Sequence, residues 1–184
     1  HVSRLLVDYA GQGYQVVRLK SGDPGIFGRL EEEIDALRAA NLPFEIVPGV
    51  TAASAAAAAA GIPLSRRLTA RRIQFVTGHD VAGALPDDLN ISALTDPNAT
   101  TVIYMPKRTF ASLAELLIQN GLPKTTPALL AESISTPEQY LQRTTLHSLA
   151  QQLSKDISSA PGLILYGALA ETSLQDVGVG CDLS

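Results

Sequence analysis

The sequence is poor in the residues that build metal centres, disulfide frameworks and large aromatic cores. Its 184 residues include no tryptophan, one cysteine (Cys181) and one methionine (Met105), and aromatic side chains make up 5%. A lone cysteine excludes an internal disulfide framework and a cysteine-rich zinc site, so we predict that no metal is bound. The same scarcity of cysteine favours a cytoplasmic protein.

The sequence also lacks a long apolar run and a strong net charge. The alanine tract that ends at Gly61-Ile62-Pro63 is too short to span a membrane, and no signal peptide is visible. The formal net charge of −4 gives no overall basic surface for nucleic acid. A content of 46% hydrophobic and 17% charged residues is typical of one or two small globular lobes with adequate cores. We therefore expect neither a membrane nor a nucleic acid as a partner.

The stretch from Val16 to Arg29 joins a β-rich run to a turn and then to a helical pattern. This order is typical of α/β proteins, which place ligands at the carboxyl ends of strands. Asp23-Pro24 fits a helix N-cap followed by proline at the first helical position, and Gly22 allows a close approach of the backbone. Asp23 could instead accept hydrogen bonds from the hydroxyl groups of a ligand, such as a ribose. Both interpretations stay open.

A second unit of strand, turn and helix follows at residues 44–60. Phe44 to Val47 reads as a short strand, and Thr51 is placed to cap a helix over the alanines up to Ala60. Small side chains on every face let such a helix pack close to a sheet and leave room for a ligand. The alternative is an alanine-rich filler with high helix propensity and no further role.

Four arginines lie within the short segment 65–72, which reads as a linker: Arg66, Arg67, Arg71 and Arg72. A run of this kind is often simply a solvated face. Alternatively, Arg66 and Arg67 attract a substrate with many carboxylates, because an arginine fork binds carboxylate well.

The remainder of the chain alternates strand and helix patterns. Strands are predicted at Ile73–Thr77, Thr101–Met105, Pro127–Glu132, Tyr140–Thr144 and Pro161–Gly167. A helix is predicted after Thr109, which would cap it, and another over Leu146–Ile157. His79 follows the first of these strands without an evident partner, so we interpret it as structural. The pattern predicts a mixed α/β lobe.

Several of these segments resemble one family of enzymes. Arg18-Leu19-Lys20-Ser21-Gly22-Asp23-Pro24, followed by Phe27-Gly28-Arg29, resembles the "R-L-K-G-G-D-P-x-x-F-G-R" signature of uroporphyrinogen-III C-methyltransferases, which are tetrapyrrole methylases that use S-adenosylmethionine. Further similar segments are Val47 to Ala53, Phe75 to His79, Val102 to Met105 and Glu132 to Gln139. Departures are Ser21 for a glycine, Gly25 for a bulky apolar residue, Pro106 for a glycine and Ile134 for a glycine.

The resemblance implies a set of cofactor contacts. They are Ser21, Gly22, Asp23, Ile26, Thr51, Ala52, Met105 and Ile134, with S-adenosyl-L-methionine as cofactor and S-adenosyl-L-homocysteine as its product. In the family, the methionine that matches Met105 packs on the cofactor, although a methionine at the end of a strand is ordinarily a core residue. The contact at Ile134 is expected through the backbone.

The resemblance also implies an α/β, two-lobed tetrapyrrole methylase fold with the cofactor in the cleft between the lobes. We expect the remainder of a first lobe at residues 1–65, a linker at 66–71, a second lobe at 72–175 and a tail at 176–184. The sequence opens in a helical pattern, His1 to Gly13, so the first lobe is expected to be incomplete. The family's acid/base residues would lie upstream of His1, the catalytic residues in this chain are unknown, and we expect the chain alone not to methylate.

The implied reaction is methylation of uroporphyrinogen III at C2 and C7 to give precorrin-2, on the route to sirohaem and cobalamin. A homodimer and a tetrapyrrole as substrate are the partners that the resemblance implies. Two alternatives are another precorrin methyltransferase, with the same cofactor contacts, and a non-catalytic remnant that only binds a nucleotide-like ligand.

Overall fold

The computed structural model describes residues 2–155 and 158–169, and it divides the chain into two compact units, His1–Ala52 and Ala53–Ser184. We call them unit 1 and unit 2. The linker predicted at residues 66–71 does not coincide with this division, which falls at the start of the alanine helix, because that helix packs within unit 2. The predicted tail at 176–184, with Cys181, lies outside the described residues.

Unit 1 contains the helices α1 (Val2–Gly11) and α2 (Leu30–Ala39), which pack against each other. The prediction of a helix that begins at Asp23-Pro24 was wrong, because α2 begins only after Arg29. Phe27 and Arg29 hold left-handed backbone angles, with φ of 51° and 54°, which no right-handed helix can contain. The turn between Pro24 and Arg29 is also tight, since a Cβ on Gly28 would lie 2.6 Å from the Pro24 carbonyl oxygen.

Two short strands predicted in unit 1, Val16–Leu19 and Phe44–Val47, are also wrong. Among the described residues before β1 the structure has no strand. A strand exists only through hydrogen bonds to a neighbour, and these two segments form no ladder with each other or with another described segment. Their apolar side chains stay exposed, to 80% at Leu19 and 72% at Val47.

The segment 18–20 is instead fixed to α2 by charge. Glu33 is buried, and its carboxylate accepts hydrogen bonds from the Lys20 ammonium at 2.8 Å and the Arg18 Nε at 3.1 Å. Burial by itself would raise the pKa of Glu33, but the hydrogen bonds from Lys20 and Arg18 outweigh it and hold that pKa below its usual value. Arg18 and Lys20 thus serve to attach this segment to the helix.

Unit 2 is built on a five-stranded sheet. Its strands are β1 (Arg72–Thr77), β2 (Ala99–Tyr104), β3 (Pro127–Glu132), β4 (Tyr140–Thr145) and β5 (Gly162–Gly167). The helices are α3 (Ala52–Ala59, which starts on the last residue of unit 1), α4 (Ile91–Leu94), α5 (Phe110–Gln119) and α6 (Leu146–Leu153).

The strand order is β1-β2-β5-β3-β4, with β1 and β2 parallel and the other three pairs antiparallel. Because β5 is antiparallel to both of its neighbours, β1, β2 and β3 all run in one direction. The residues that follow them therefore meet at one edge of the sheet, which we call the carboxyl edge. β5 runs the opposite way and begins at the carboxyl edge, so the segment before β5 lies there too.

Both faces of this sheet are covered. On one face, Ile103, Leu130 and Ile164 pack with the apolar sides of α5 and α6. On the other, α3 is attached at two points, where the Ala53 amide donates to the Tyr104 hydroxyl and Arg143 donates to the Ala60 carbonyl. The apolar runs in β3 and β5 follow from burial on two sides.

The strand predictions for unit 2 agree with the structure to within two residues. Pairing of the segment that begins at Tyr140 with an antiparallel neighbour is confirmed, since β4 lies beside β3. The helix over Leu146–Ile157 is shorter than predicted and ends at Leu153. Thr109 does precede α5, but its hydroxyl donates to the Gly78 and Pro106 carbonyls rather than capping the helix.

None of the helices that the structure describes has the length and apolar character needed to cross a membrane.

Replacing Glu33 with glutamine should destabilise the chain by about 1–3 kcal/mol at neutral pH, because two charge-assisted hydrogen bonds are weakened. The lowered pKa means that the folded state holds the Glu33 proton less tightly than the unfolded state. Its stabilisation is therefore present above the unfolded pKa of about 4.3 and disappears as the pH falls through the folded value. Urea unfolding followed by circular dichroism from pH 7 to pH 3 measures this difference.

The matched control is Glu32→Gln, one residue earlier in α2. Glu32 pairs with Arg29 at 2.8 Å, but their side chains are 57% and 80% exposed, and exposed pairs of this kind contribute little. Equal effects of the two substitutions across the pH range would contradict the role given to Glu33.

Candidate functional site

The Asp23 carboxylate joins two segments of unit 1. Its Oδ1 accepts a hydrogen bond from the Gly25 amide at 2.8 Å, and its Oδ2 accepts one from the Gly49 amide at 3.2 Å. A carboxylate has about four acceptor positions, so two remain for other donors. The side chain therefore orders the turn that carries it, and ligand binding by the same carboxylate stays a prediction.

Glycines let these two segments come into contact. A Cβ on Gly49 would lie 2.2 Å from the Gly22 carbonyl oxygen, which no side chain could tolerate. Gly22 itself has φ of +70°, and its Cβ position is 3.6 Å from the Val50 carbonyl oxygen and 3.7 Å from the Ala52 amide nitrogen. The structure thus brings the Gly22-Asp23 turn together with the turn that leads into α3.

The other predicted contacts of unit 1 lie on or beside these turns. Ser21 is exposed, and the half-buried Ile26 donates its amide to the Asp23 carbonyl at 3.2 Å. Thr51 is half-buried directly before α3, whose first residue is Ala52. All six predicted residues of unit 1 therefore belong to one pair of adjoining turns.

In unit 2, Met105 follows β2 at the carboxyl edge. Its φ is 53°, a left-handed value that costs energy for a residue with a side chain, and it is 44% exposed. Gly78 packs against this turn, because its amide donates to the Tyr104 carbonyl at 2.7 Å and a Cβ on it would lie 2.6 Å from the Pro106 Cα. The thioether is thereby held at the edge with part of its surface open.

Ile134 lies in a second strained turn at the same edge, directly after β3. Its neighbours Ser133 and Ser135 have φ of 47° and 68°. The Ser133 amide donates to the Pro161 carbonyl at 2.9 Å, which attaches the turn to the start of β5. Left-handed residues other than glycine persist where their surroundings fix them, and they cluster at ligand sites. Three of them at one edge mark it as the candidate site of unit 2.

Tyr104 is a residue that the sequence analysis did not include. Its hydroxyl accepts a hydrogen bond from the Ala53 amide at 3.3 Å, and its ring meets Phe75 edge to face with centroids 5.8 Å apart. It thus connects the first turn of α3 with the end of β2, directly before Met105. The available signal was a tyrosine at the end of a predicted strand, since a tyrosine hydroxyl in the interior of a protein requires a partner.

The arginines predicted to bind substrate lie elsewhere. Arg66 exchanges backbone hydrogen bonds with Ala70 and donates from its guanidinium to the Leu169 carbonyl at 3.2 Å, while the Arg67 carbonyl accepts from Arg71. This turn precedes β1, so it lies at the sheet edge opposite to Met105. Six residues of strand separate the two edges, or about 20 Å. The structure does not bring Arg66 and Arg67 to Met105.

An open groove of about 860 Å³ lies at that opposite edge, with Arg71, Arg72, Asn90 and Asp96 among its lining residues. Arg72 pairs there with Asp96. None of the predicted cofactor residues lines this groove. We therefore place the candidate site of unit 2 at the carboxyl edge, on the backbone geometry of its turns and not on the presence of a pocket. Within residues 2–155 and 158–169, no group of three or more histidine, cysteine or acidic side chains is placed to hold a metal ion.

Comparison with known proteins decides the family. The family model "Tetrapyrrole (Corrin/Porphyrin) Methylases" matches residues 1–150. The chain belongs to the tetrapyrrole methylases. The resemblance drawn from the sequence is thereby confirmed at the level of the family.

Curated relatives of this tetrapyrrole methylase include two siroheme synthases. That of Chromobacterium violaceum is 44% identical over 170 residues, which are 92% of this chain and 36% of the relative. That of Azotobacter vinelandii is 43% identical over 166 residues, 90% of this chain and 35% of the relative. The chain thus spans about a third of the length of these relatives.

Solved structures confirm the fold of the methylase. A uroporphyrin-III C-methyltransferase from Thermus thermophilus, complexed with S-adenyl homocysteine, is 33% identical with a TM-score of 0.76 over 91% of this chain and 72% of that one. A cobalt precorrin-4 methyltransferase has a TM-score of 0.79 at 24% identity, over 90% of this chain and 69% of that one. The second likeness shows the fold alone.

Gly49→Ala should disrupt the contact between the two turns of unit 1. The added methyl group meets a backbone oxygen that cannot move aside like a flexible side chain, so we expect a loss of roughly 1–3 kcal/mol or more. Gly11→Ala is the control, because nothing lies within 4 Å of its Cβ position. Differential scanning calorimetry compares the two, and a melting temperature for Gly49→Ala as high as that of the control would contradict the described contact.

Proposed function

We propose that this methylase carries out S-adenosylmethionine-dependent methylation of uroporphyrinogen III at C2 and C7, giving precorrin-2 for sirohaem or cobalamin. One observation carries the proposal: two separate signature segments of the sequence, around Gly22-Asp23 and Val50–Ala52, adjoin in unit 1. The siroheme synthases at 43–44% identity and the Thermus thermophilus enzyme at 33% support the choice of substrate.

Each unit by itself offers groups that suit part of a ligand with polar and apolar atoms. Unit 1 offers backbone groups of strained or glycine-containing turns, the remaining acceptor positions on Asp23 and the exposed hydroxyl group of Ser21. Unit 2 offers the half-exposed thioether of Met105 and the backbone of the Ser133–Ser135 turn. We assign them to S-adenosylmethionine, which supplies an electrophilic methyl group on a sulfonium when bound.

The proposed role of each residue follows from its chemistry. Asp23 accepts hydrogen bonds from ribose hydroxyls, and Gly22 and Ala52 allow the ligand to approach the backbone closely. Ile26 and Met105 contribute apolar contact, and Ile134 contacts the ligand through its backbone. The protein's main contribution to such a transfer is alignment, for which restricting the reactants can lower the barrier by on the order of 7–11 kcal/mol.

Arg66 and Arg67 are proposed to attract the carboxylates of the tetrapyrrole. Uroporphyrinogen is a polycarboxylate, and guanidinium groups pair with carboxylates in a bidentate fork. Their place at the edge opposite to Met105 means that this role is attraction at a distance from the methyl group. No described residue is assigned as the base that removes the ring proton.

The test is a methyl-transfer assay with ¹³C-methyl-labelled S-adenosylmethionine and uroporphyrinogen III. Two labelled methyl groups on C2 and C7, located by NMR of the product, are expected from the protein that contains this chain. Label at other ring positions would indicate a different precorrin methylase. Binding of S-adenosylhomocysteine without any transfer would indicate a ligand-binding protein that is not a catalyst.

Calorimetry of S-adenosylhomocysteine binding tests the assignment of Asp23. Asp23→Ala should weaken binding by about 1–3 kcal/mol, the usual loss when a buried polar partner is removed. Asp35→Ala, an exposed aspartate of α2, is the matched control and should bind as the unaltered chain does. Equal affinities of both variants would remove Asp23 from the proposed site.

We also propose that the protein is a cytoplasmic homodimer. Large apolar side chains are exposed in both units, among them Val17, Leu19, Val47 and Leu68 at 72–80%. Such surface favours association in water. Analytical ultracentrifugation at micromolar concentration should give twice the chain mass, and a monomer at that concentration would refute the proposal.

A further inference from the structure

A lysine outside the predicted set connects three segments at the carboxyl edge. The Lys107 ammonium donates to the Glu132 carboxylate at 2.6 Å, to the Ser158 hydroxyl at 3.3 Å and to the Ala160 carbonyl. These partners belong to the end of β3 and to the segment that leads into β5. All three hydrogen bonds of the ammonium are accounted for.

The Lys107–Glu132 ion pair is largely buried. The side chains of Lys107 and Glu132 are each 11% exposed. Removing two charges from water costs several kcal/mol, and apolar residues of similar size often give equal or higher stability. Stability by itself is therefore a weak reason for an ion pair here, which points to a role beyond stability.

The pair lies between the two strained turns. Lys107 is two positions after Met105, and Glu132 is two positions before Ile134. Gly162 has no side chain and so leaves room for the ion pair, because a Cβ at this position would lie 3.2 Å from the Glu132 Cγ and 3.7 Å from the Lys107 Cε. β5 separates β2 from β3, so backbone hydrogen bonds cannot join these two turns directly. The side-chain pair makes that connection.

The other end of the Met105 turn is held separately. The Thr109 hydroxyl donates to the Gly78 carbonyl after β1, and both Thr109 and Gly78 are buried. The turn 105–109 is thus attached to β1 on one side through Thr109 and to β3 and β5 on the other through Lys107. Loss of Lys107 would release only the side that faces Ile134.

We propose that Lys107 and Glu132 are positioning residues, which hold the Met105 turn at a fixed distance from the Ser133–Ser135 turn and so orient both toward the ligand. The identity of the ligand, S-adenosylmethionine, rests on the function proposed above. Neither side chain is required to touch the ligand, since both are engaged with each other.

Met105 provides a direct readout, because it is the single methionine of the sequence. The chain is expressed behind a cleavable leader and labelled with [methyl-¹³C]methionine, so its NMR spectrum contains one methionine methyl signal. The main variant is Lys107→Leu/Glu132→Leu, which removes the connection without leaving a buried unpaired charge. Lys124→Leu makes the same change at an exposed lysine of unit 2 and is the control.

The double variant should keep the melting temperature of the unaltered chain but show a shifted Met105 signal. Its affinity for S-adenosylhomocysteine should fall by roughly 10- to 100-fold, by analogy with the loss that follows removal of a residue that orients a metal ligand. The Lys124→Leu variant should match the unaltered chain in all three measurements. A merely stabilising pair would change the melting temperature and leave the Met105 signal in place.

An unchanged Met105 signal in the folded double variant would overturn the proposal. If the double variant does not fold, Glu132→Gln replaces it, because glutamine keeps an oxygen that can accept from Lys107. This variant should shift the Met105 signal by a smaller amount. An unshifted Met105 signal in Glu132→Gln would also overturn the proposal. A shifted Met105 signal would support the positioning role even if the methyl-transfer assay above gave no label on uroporphyrinogen III, a result that would refute the proposed function, so the two failures are distinguishable.

Discussion

The constraint on which unit 2 depends is burial of its sheet from both sides. α5 and α6 pack on one face and α3 on the other. At the carboxyl edge the chain turns through left-handed angles at Met105, Ser133 and Ser135. The strain needs neighbours that fix it, here Gly78, Thr109 and the segment before β5.

Unit 1 depends on contacts of a different kind. Its two signature turns are joined by backbone approach at Gly22 and Gly49 and by the Asp23 carboxylate, with little apolar burial. Arg18 and Lys20 both form ion pairs with the Glu33 carboxylate. Signature residues that suggest ligand binding thus have first a structural task, and the groups that remain open to a ligand are backbone atoms and the unused oxygen positions of Asp23.

The sequence predicted unit 2 well and unit 1 less well, for a physical reason. The strands of unit 2 are β-rich runs bounded by turn residues, with β3 and β5 mainly apolar, and these local signals agree with their pairing in the sheet. In unit 1, Val16–Leu19 has a β-rich composition, but pairing depends on a partner that composition does not reveal. The helix predicted from Asp23 failed because Phe27 and Arg29 hold left-handed backbone angles, and the Asp23 carboxylate binds Gly49, a partner distant in sequence.

The candidate site shows the same division between local and distant signals. Glycine-containing turns and the strand-end methionine could be identified from the sequence and its resemblance to the family. For Tyr104 the sequence offered only a tyrosine at a strand end, and its partner, the Ala53 amide, is defined by the fold. The Lys107–Glu132 pair could not be identified, since a lysine that reaches a glutamate on another strand is defined only by the fold.

The place of β5 has a consequence for biosynthesis. It is the last strand of the described chain, yet it lies between β2 and β3, so it supplies the only pairing between the β1-β2 and β3-β4 halves among the described strands. While the ribosome adds residues up to 161, each half presents an open inner edge to other chains. The sheet becomes continuous only when β5 inserts, and a chaperone that shields those edges would act in the interval before that step.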